Sequence, residues 1–133
     1  SKEIIAAKCA EIVHNGDSIF LDASTTALFI AKAVRDMRIT ILTNSLKVIN
    51  FLADYPNVRL ITIGGLFASN NMSFVGRGAL QSLDNYYVDK AFMSCRSLSQ
   101  PYGITDSNED QGCLKIIKKA LRKNKEQAAN DLL

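Results

Sequence analysis

Ser18-Ile19-Phe20-Leu21-Asp22-Ala23-Ser24-Thr25-Thr26 decides the fold of this 133-residue chain. The apolar run Ser18 to Leu21 suits a strand buried on both faces, and a polar loop follows at once. From Thr26 to Asp36, Ile30, Ala33, Val34 and Met37 keep the i, i+3, i+4, i+7 spacing of one helix face. Strand, polar loop and helix in that order form the repeating unit of a parallel sheet.

Upstream, residues 2–14 read as a helix with Ile5, Cys9, Ile12 and Val13 on one face, closed by Asn15-Gly16-Asp17. Downstream, the unit repeats. Ile39 to Leu42 reads as a strand, Thr43-Asn44-Ser45 as a capping cluster and Leu46 to Ala53 as a helix. Pro56-Asn57 turns the chain, and the strand Val58 to Ile63 is broken by Gly64-Gly65. Leu66 to Phe74 reads as loop, Arg77 to Asp84 as a short helix and Val88 to Met93 as a strand. Ser94 to Ser107 is loop, broken by Pro101 and Gly103. A last helix is expected from Asn108 to Lys125, with Cys113, Ile116, Ile117, Ala120 and Leu121 on its apolar face. With no repeat, low-complexity stretch or linker, the expectation is one domain over residues 1–133. Its class is α/β: a three-layer, Rossmann-like, mostly parallel sheet with helices on both faces.

Composition narrows the function. Hydrophobic residues make up 47% and charged residues 22% of the chain, ordinary for a soluble domain. No apolar run approaches the roughly 20 residues of a membrane span, and no signal peptide pattern opens the chain, so a cytoplasmic protein without a membrane partner is expected. Cys9, Cys95 and Cys113 are scattered and odd in number, which fits neither a disulfide framework nor a zinc spacing. His14 is the single histidine and suits the dipole at the end of the first helix, so no metal is expected. The net charge of +3 does not argue for nucleic acid by itself.

Ligands of open α/β sheets bind at the carboxyl ends of strands. That rule singles out Asp22 to Thr26, Thr43 to Ser45, Gly64-Gly65 and the loop after Met93. Ser24, Thr25 and Thr26 bring three hydroxyls to a helix start, where free N–H groups and a partial positive charge suit a phosphate. Thr43, Asn44 and Ser45 do the same at the next helix, and plain N-capping explains either cluster as well. Gly64-Gly65 admits a ligand or another backbone, or simply makes a tight turn. Lys115, Lys118, Lys119 and Arg122 would draw a basic stripe on the last helix, either a solvated face or one that attracts phosphate or nucleic acid. Of the two helix starts, the first is favoured for the phosphate. Thr43, Asn44 and Ser45 would then line the adjoining wall, with Arg96 or Lys115 balancing the charge.

Together these motifs resemble the carboxyl-terminal domain of DeoR-type transcription regulators. The matching stretches are Asn15 to Thr26, Leu42-Thr43-Asn44-Ser45, Ile63-Gly64-Gly65, Phe74-Val75-Gly76, Val88 to Phe92 and Gly103 to Glu109. The resemblance implies a fold shared with ribose-5-phosphate isomerase and the CoA transferases. It also implies an effector-sensing domain, not an enzyme, with no cofactor and with a phosphorylated sugar or sugar derivative as ligand. The expected ligand set is Asp22, Ser24, Thr25, Thr26, Thr43, Asn44, Ser45, Gly64, Gly65, Asp89, Arg96 and Lys115, and the resemblance implies that Asp22 faces the sugar hydroxyls. An amino-terminal winged helix-turn-helix is implied as the part that reads operator DNA. The chain opens on the sensor's first helix, so this domain is expected to sense ligand without reading DNA. A repressor of sugar-metabolism genes, assembled as a homodimer or homotetramer, is expected. Counted from Lys115, Gln111 and Gly112 stand where the family carries an acidic and a small residue. The tail from Gln127 to Leu133 stands where the family continues into another strand.

Two alternatives stay open. A sugar-phosphate isomerase of the same fold would draw its catalytic groups from Asp89, Glu109 and Lys115. Ser94-Cys95-Arg96-Ser97 stands where such an enzyme carries a glycine-rich lysine loop. A nucleic-acid binder would use the basic last helix.

Overall fold

The computed structural model describes residues 1–93 and the short strand Lys115–Ile116. Helix α1 (Lys2–Glu11) leads into β1 (Ser18–Leu21), α2 (Thr25–Val34), β2 (Thr40–Thr43), α3 (Leu46–Leu52) and β3 (Arg59–Thr62). A hairpin of β4 (Leu66–Ala68) and β5 (Ser73–Val75), then α4 (Arg77–Asp84), β6 (Lys90–Met93) and β7 (Lys115–Ile116), complete the described elements.

The main sheet has the strand order β3-β2-β1-β6-β7. Its first four strands run parallel, with Leu21 in register with Thr43 on one side and Phe92 on the other. β7 is antiparallel to β6. The chain winds outward from β1 to β3 and returns to the other flank of β1 at β6, so the strand order reverses between β1 and β6. That reversal is the switch point where open sheets leave a crevice at their carboxyl ends.

Pleating explains the continuous apolar runs. Ile19, Leu21, Ile41 and Phe92 point to one face and pack with Cys9 of α1, Ile30 and Val34 of α2, and Val48 and Leu52 of α3. Phe20, Leu42, Ala91 and Met93 point to the other and pack with Ala79 and Leu83 of α4. Two cores on one sheet make the three layers. Burial also pushes the Cys9 thiol pKa up, as expected of a small hydrophobe in a core. Gly16 turns the chain between α1 and β1 at a φ of +91°, and its N–H donates to Arg38 O at 2.8 Å. No described helix is long and apolar enough to cross a membrane.

Two expectations need correction. Leu66 to Phe74, expected as loop, contains the β4–β5 hairpin, with Phe67 in register with Phe74 and their rings 5.3 Å apart. The Asn70-Asn71 step between two short apolar stretches is turn chemistry that a hairpin uses. Lys115 and Ile116, expected inside a helix, form β7, pairing Met93 with Lys115 and Phe92 with Ile116. The β-branched Ile116 suits that extended pairing, which removes Lys115 from the helical stripe. The rest of the expected last helix lies outside the described residues.

Candidate functional site

At the carboxyl end of β1, Asp22 is 2% exposed. Its N–H donates to Phe92 O at 3.4 Å, tying β1 to β6, and its Oδ1 accepts the N–H of Ser24 at 3.0 Å. This side-chain turn aims the chain into α2. Ser24 is the N-cap, its Oγ accepting the N–H of Ala27 at 3.1 Å. Capping and ligand binding divide between neighbours here. Ser24 is occupied as the cap, while the N–H groups of Thr25 and Thr26 have no partner among the described residues. Thr25 is exposed and Thr26 is buried, so Thr25 alone of the two offers an accessible hydroxyl beside those N–H groups.

The end of β2 is built differently. Thr43 is fully buried, donates from Oγ1 to Leu21 O at 2.7 Å and accepts the N–H of Ser45 at 3.1 Å. Ser45 caps α3 by accepting the N–H of Val48 at 3.2 Å. The hairpin then closes this helix start. Leu46 N–H donates to Met72 O at 2.9 Å, and Ser45 bridges Ser73. Asn44 clamps Phe74 twice, through its O and its Nδ2, both at 2.9 Å. Among the described residues, Asn44 Oδ1 is the buried side-chain polar atom left without a partner.

The two helix starts are therefore unequal. The hairpin takes the Leu46 N–H of α3, while both the Thr25 and Thr26 N–H groups of α2 stay open to an anion. Met72 and Ser73, which no sequence motif singles out, join this edge with Phe74.

Gly65 is a structural requirement: a Cβ there would meet Val75 O at 2.7 Å and Ala79 N at 3.1 Å. Gly64 has open space around its Cα. Asp89 is not brought to this edge. Its carboxylate accepts the N–H of Ser18 at 2.9 Å at the amino end of β1, about 10 Å away along the strand. Beside it, Lys90 Nζ donates to Asp17 Oδ2 at 2.7 Å. Burial pushes the Asp17 carboxyl up, but hydrogen bonds from Lys90 and the His14 N–H, with the Lys90 charge, bring it net below the ordinary range. Lys115 is placed by its backbone on β7, next to β6. Arg96 lies outside the described residues.

The model of the DeoR C-terminal sensor domain matches residues 1–128. The uncharacterized HTH-type transcriptional regulator YulB of Bacillus subtilis is 42% identical over 86% of this chain and 44% of its own length. The HTH-type transcriptional repressor GlcR of B. subtilis is 32% identical over the same shares, 86% and 44%. The L-fucose operon activator of Haemophilus influenzae is 30% identical over 86% of this chain and 46% of its own length. The chain thus spans less than half the length of these relatives.

Proposed function

The chain belongs to the DeoR C-terminal sensor-domain family, and from that premise we propose that it binds a phosphorylated sugar or sugar derivative at the carboxyl edge of β1 and β2. The open first turn of α2 carries this reading. Thr25 and Thr26 supply N–H donors and Thr25 a hydroxyl to the phosphate, with no carboxylate drawn into that turn except Asp22, already accepting from Ser24. Asp22 and Asn44 Oδ1 are acceptors suited to sugar hydroxyls. Thr43 and Ser45 shape the wall as struts, and Gly65 keeps the hairpin close. A relative named for the L-fucose operon supports a sugar as the parent compound.

The domain acts as a sensor and not as an enzyme, with its response relayed to a DNA-reading module outside this sequence. Asp89, the base that an isomerase reading would need, is engaged with Ser18 at the other edge, which disfavours that reading. A cytoplasmic, dimeric or tetrameric repressor of sugar-metabolism genes is the setting proposed, repression being the role in the name of GlcR. Thr25→Asp tests the placement, since it sets a carboxylate against the phosphate on an exposed side chain. A sugar phosphate that shifts the amides at the start of α2 in the wild type should no longer shift them in this variant. A well-folded Thr25→Asp variant with unchanged affinity would place the phosphate elsewhere.

A further inference from the structure

The amino edge of the sheet, opposite the site above, holds a cleft of about 200 Å³ lined by Gly16, Asp17, Arg38, Thr40, Asn57 and Arg59, among others. Thr40 and Arg59 are in register across β2 and β3, so their side chains leave the same face of the sheet. Arg38, two residues before Thr40, brings a second guanidinium to the same rim. Its backbone is fixed, with N–H donating to Asn15 Oδ1 at 2.9 Å and O accepting from Gly16 N–H at 2.8 Å.

The rim is rich in unused donors. Among the described residues neither guanidinium has an ion-pair or hydrogen-bond partner, and neither do the Thr40 hydroxyl and the Asn57 amide. Asp17 is the carboxylate of the lining, and it is taken by Lys90 at 2.7 Å and by the His14 N–H at 2.9 Å. Both contacts reach its Oδ2, and the Lys90 charge balances the carboxylate. Two guanidiniums with neutral donors, beside a carboxylate already paired with Lys90, suit a small tetrahedral oxyanion, which a guanidinium binds through two parallel hydrogen bonds.

We propose that this cleft is a second anion site, separate from the sensor site, taking inorganic phosphate or the phosphate of a small monoester through Arg38 and Arg59. Thr40 and Asn57 add neutral donors, and the Gly16 turn leaves room beside them.

The test titrates inorganic phosphate into 15N-labelled protein, with chloride at matched ionic strength as control and Thr25→Asp as background. That background removes a phosphate response at the carboxyl edge and leaves this one. Saturable shifts of the Gly16, Thr40 and Asn57 amides with phosphate and not chloride are expected. The double variant Arg38→Gln, Arg59→Gln should weaken that binding by at least about tenfold with an unchanged melting temperature. A small phosphomonoester should bind the same amides. Equal responses to chloride, no saturable shift, or undiminished binding in the folded double variant would overturn the site. Saturation by a duplex of arbitrary sequence without any response to inorganic phosphate would overturn it in favour of a nucleic-acid backbone.

Discussion

Replacing Thr43 by Val isolates the hydroxyl that joins β1 to the start of α3. The side chain keeps nearly the same shape, and Thr43 has no exposed surface. What disappears is one donor to Leu21 O at 2.7 Å and one acceptor for Ser45 N–H at 3.1 Å. Both backbone groups belong to buried residues, and each buried orphan costs about 1–3 kcal/mol. Added methyl packing offsets part of this, so the net loss is about 2–4 kcal/mol. For a chain of this length, that is a fall in melting temperature of roughly 6–15 °C. Thr43→Ser keeps the hydroxyl and loses one buried methyl, for about 1 kcal/mol. Urea unfolding of the three proteins at equal m-value measures both differences. A Thr43→Val protein within about 0.5 kcal/mol of wild type, or a Thr43→Ser protein equally damaged, would refute Thr43 as a strut.

Two further substitutions probe the frame. Gly65→Ala should destabilise by about 1–3 kcal/mol, because the new methyl meets the Val75 carbonyl oxygen at 2.7 Å and the hairpin must shift; denaturant midpoints indistinguishable from wild type would contradict this. Lys90→Met should lower stability in a pH-dependent way. The folded Asp17 carboxyl titrates below its ordinary value, so its contribution is complete above about pH 4 and is lost as pH falls through the lowered folded value. The gap in melting temperature between wild type and Lys90→Met should therefore be widest near neutrality and close in acid; a gap that stays constant into acid would refute the pairing.

The parallel sheet was legible because its strands are short apolar runs with helical periodicity between them. Ser18 to Leu21 needed no tertiary information to be read as buried on both faces. The hairpin was missed because Leu66 to Ala68 and Ser73 to Val75 are three-residue strands, too short for alternation to show. Yet Gly64-Gly65, Gly76 and Asn70-Asn71 bracketed them. Lys115 and Ile116 fit a helix locally because charged residues spaced i, i+3, i+4 make an amphipathic face. Strand pairing with β6 overrode that local pattern. At the site, sequence gave the residue types and not their obligations. The cap residues Ser24 and Ser45 look like ligand donors until the N–H groups of Ala27 and Val48 are counted. Asp89 precedes β6 and so belongs to the amino edge of a parallel sheet, a placement its position at the start of the apolar run already implies.

On this reading the open turn at Thr25 and Thr26 recognises a phosphate carried by a sugar. Thermal melting of the Arg38→Gln, Arg59→Gln protein, which lacks the amino-edge anion site, with matched pairs of sugars and their monophosphates is the decisive measurement. At 100 times its dissociation constant, a cognate phosphorylated sugar should add about 2.7 kcal/mol of stability, and its unphosphorylated parent should add nothing measurable at the same concentration. Equal shifts with both members of every pair, or stabilisation by the parent sugar alone, would contradict the account.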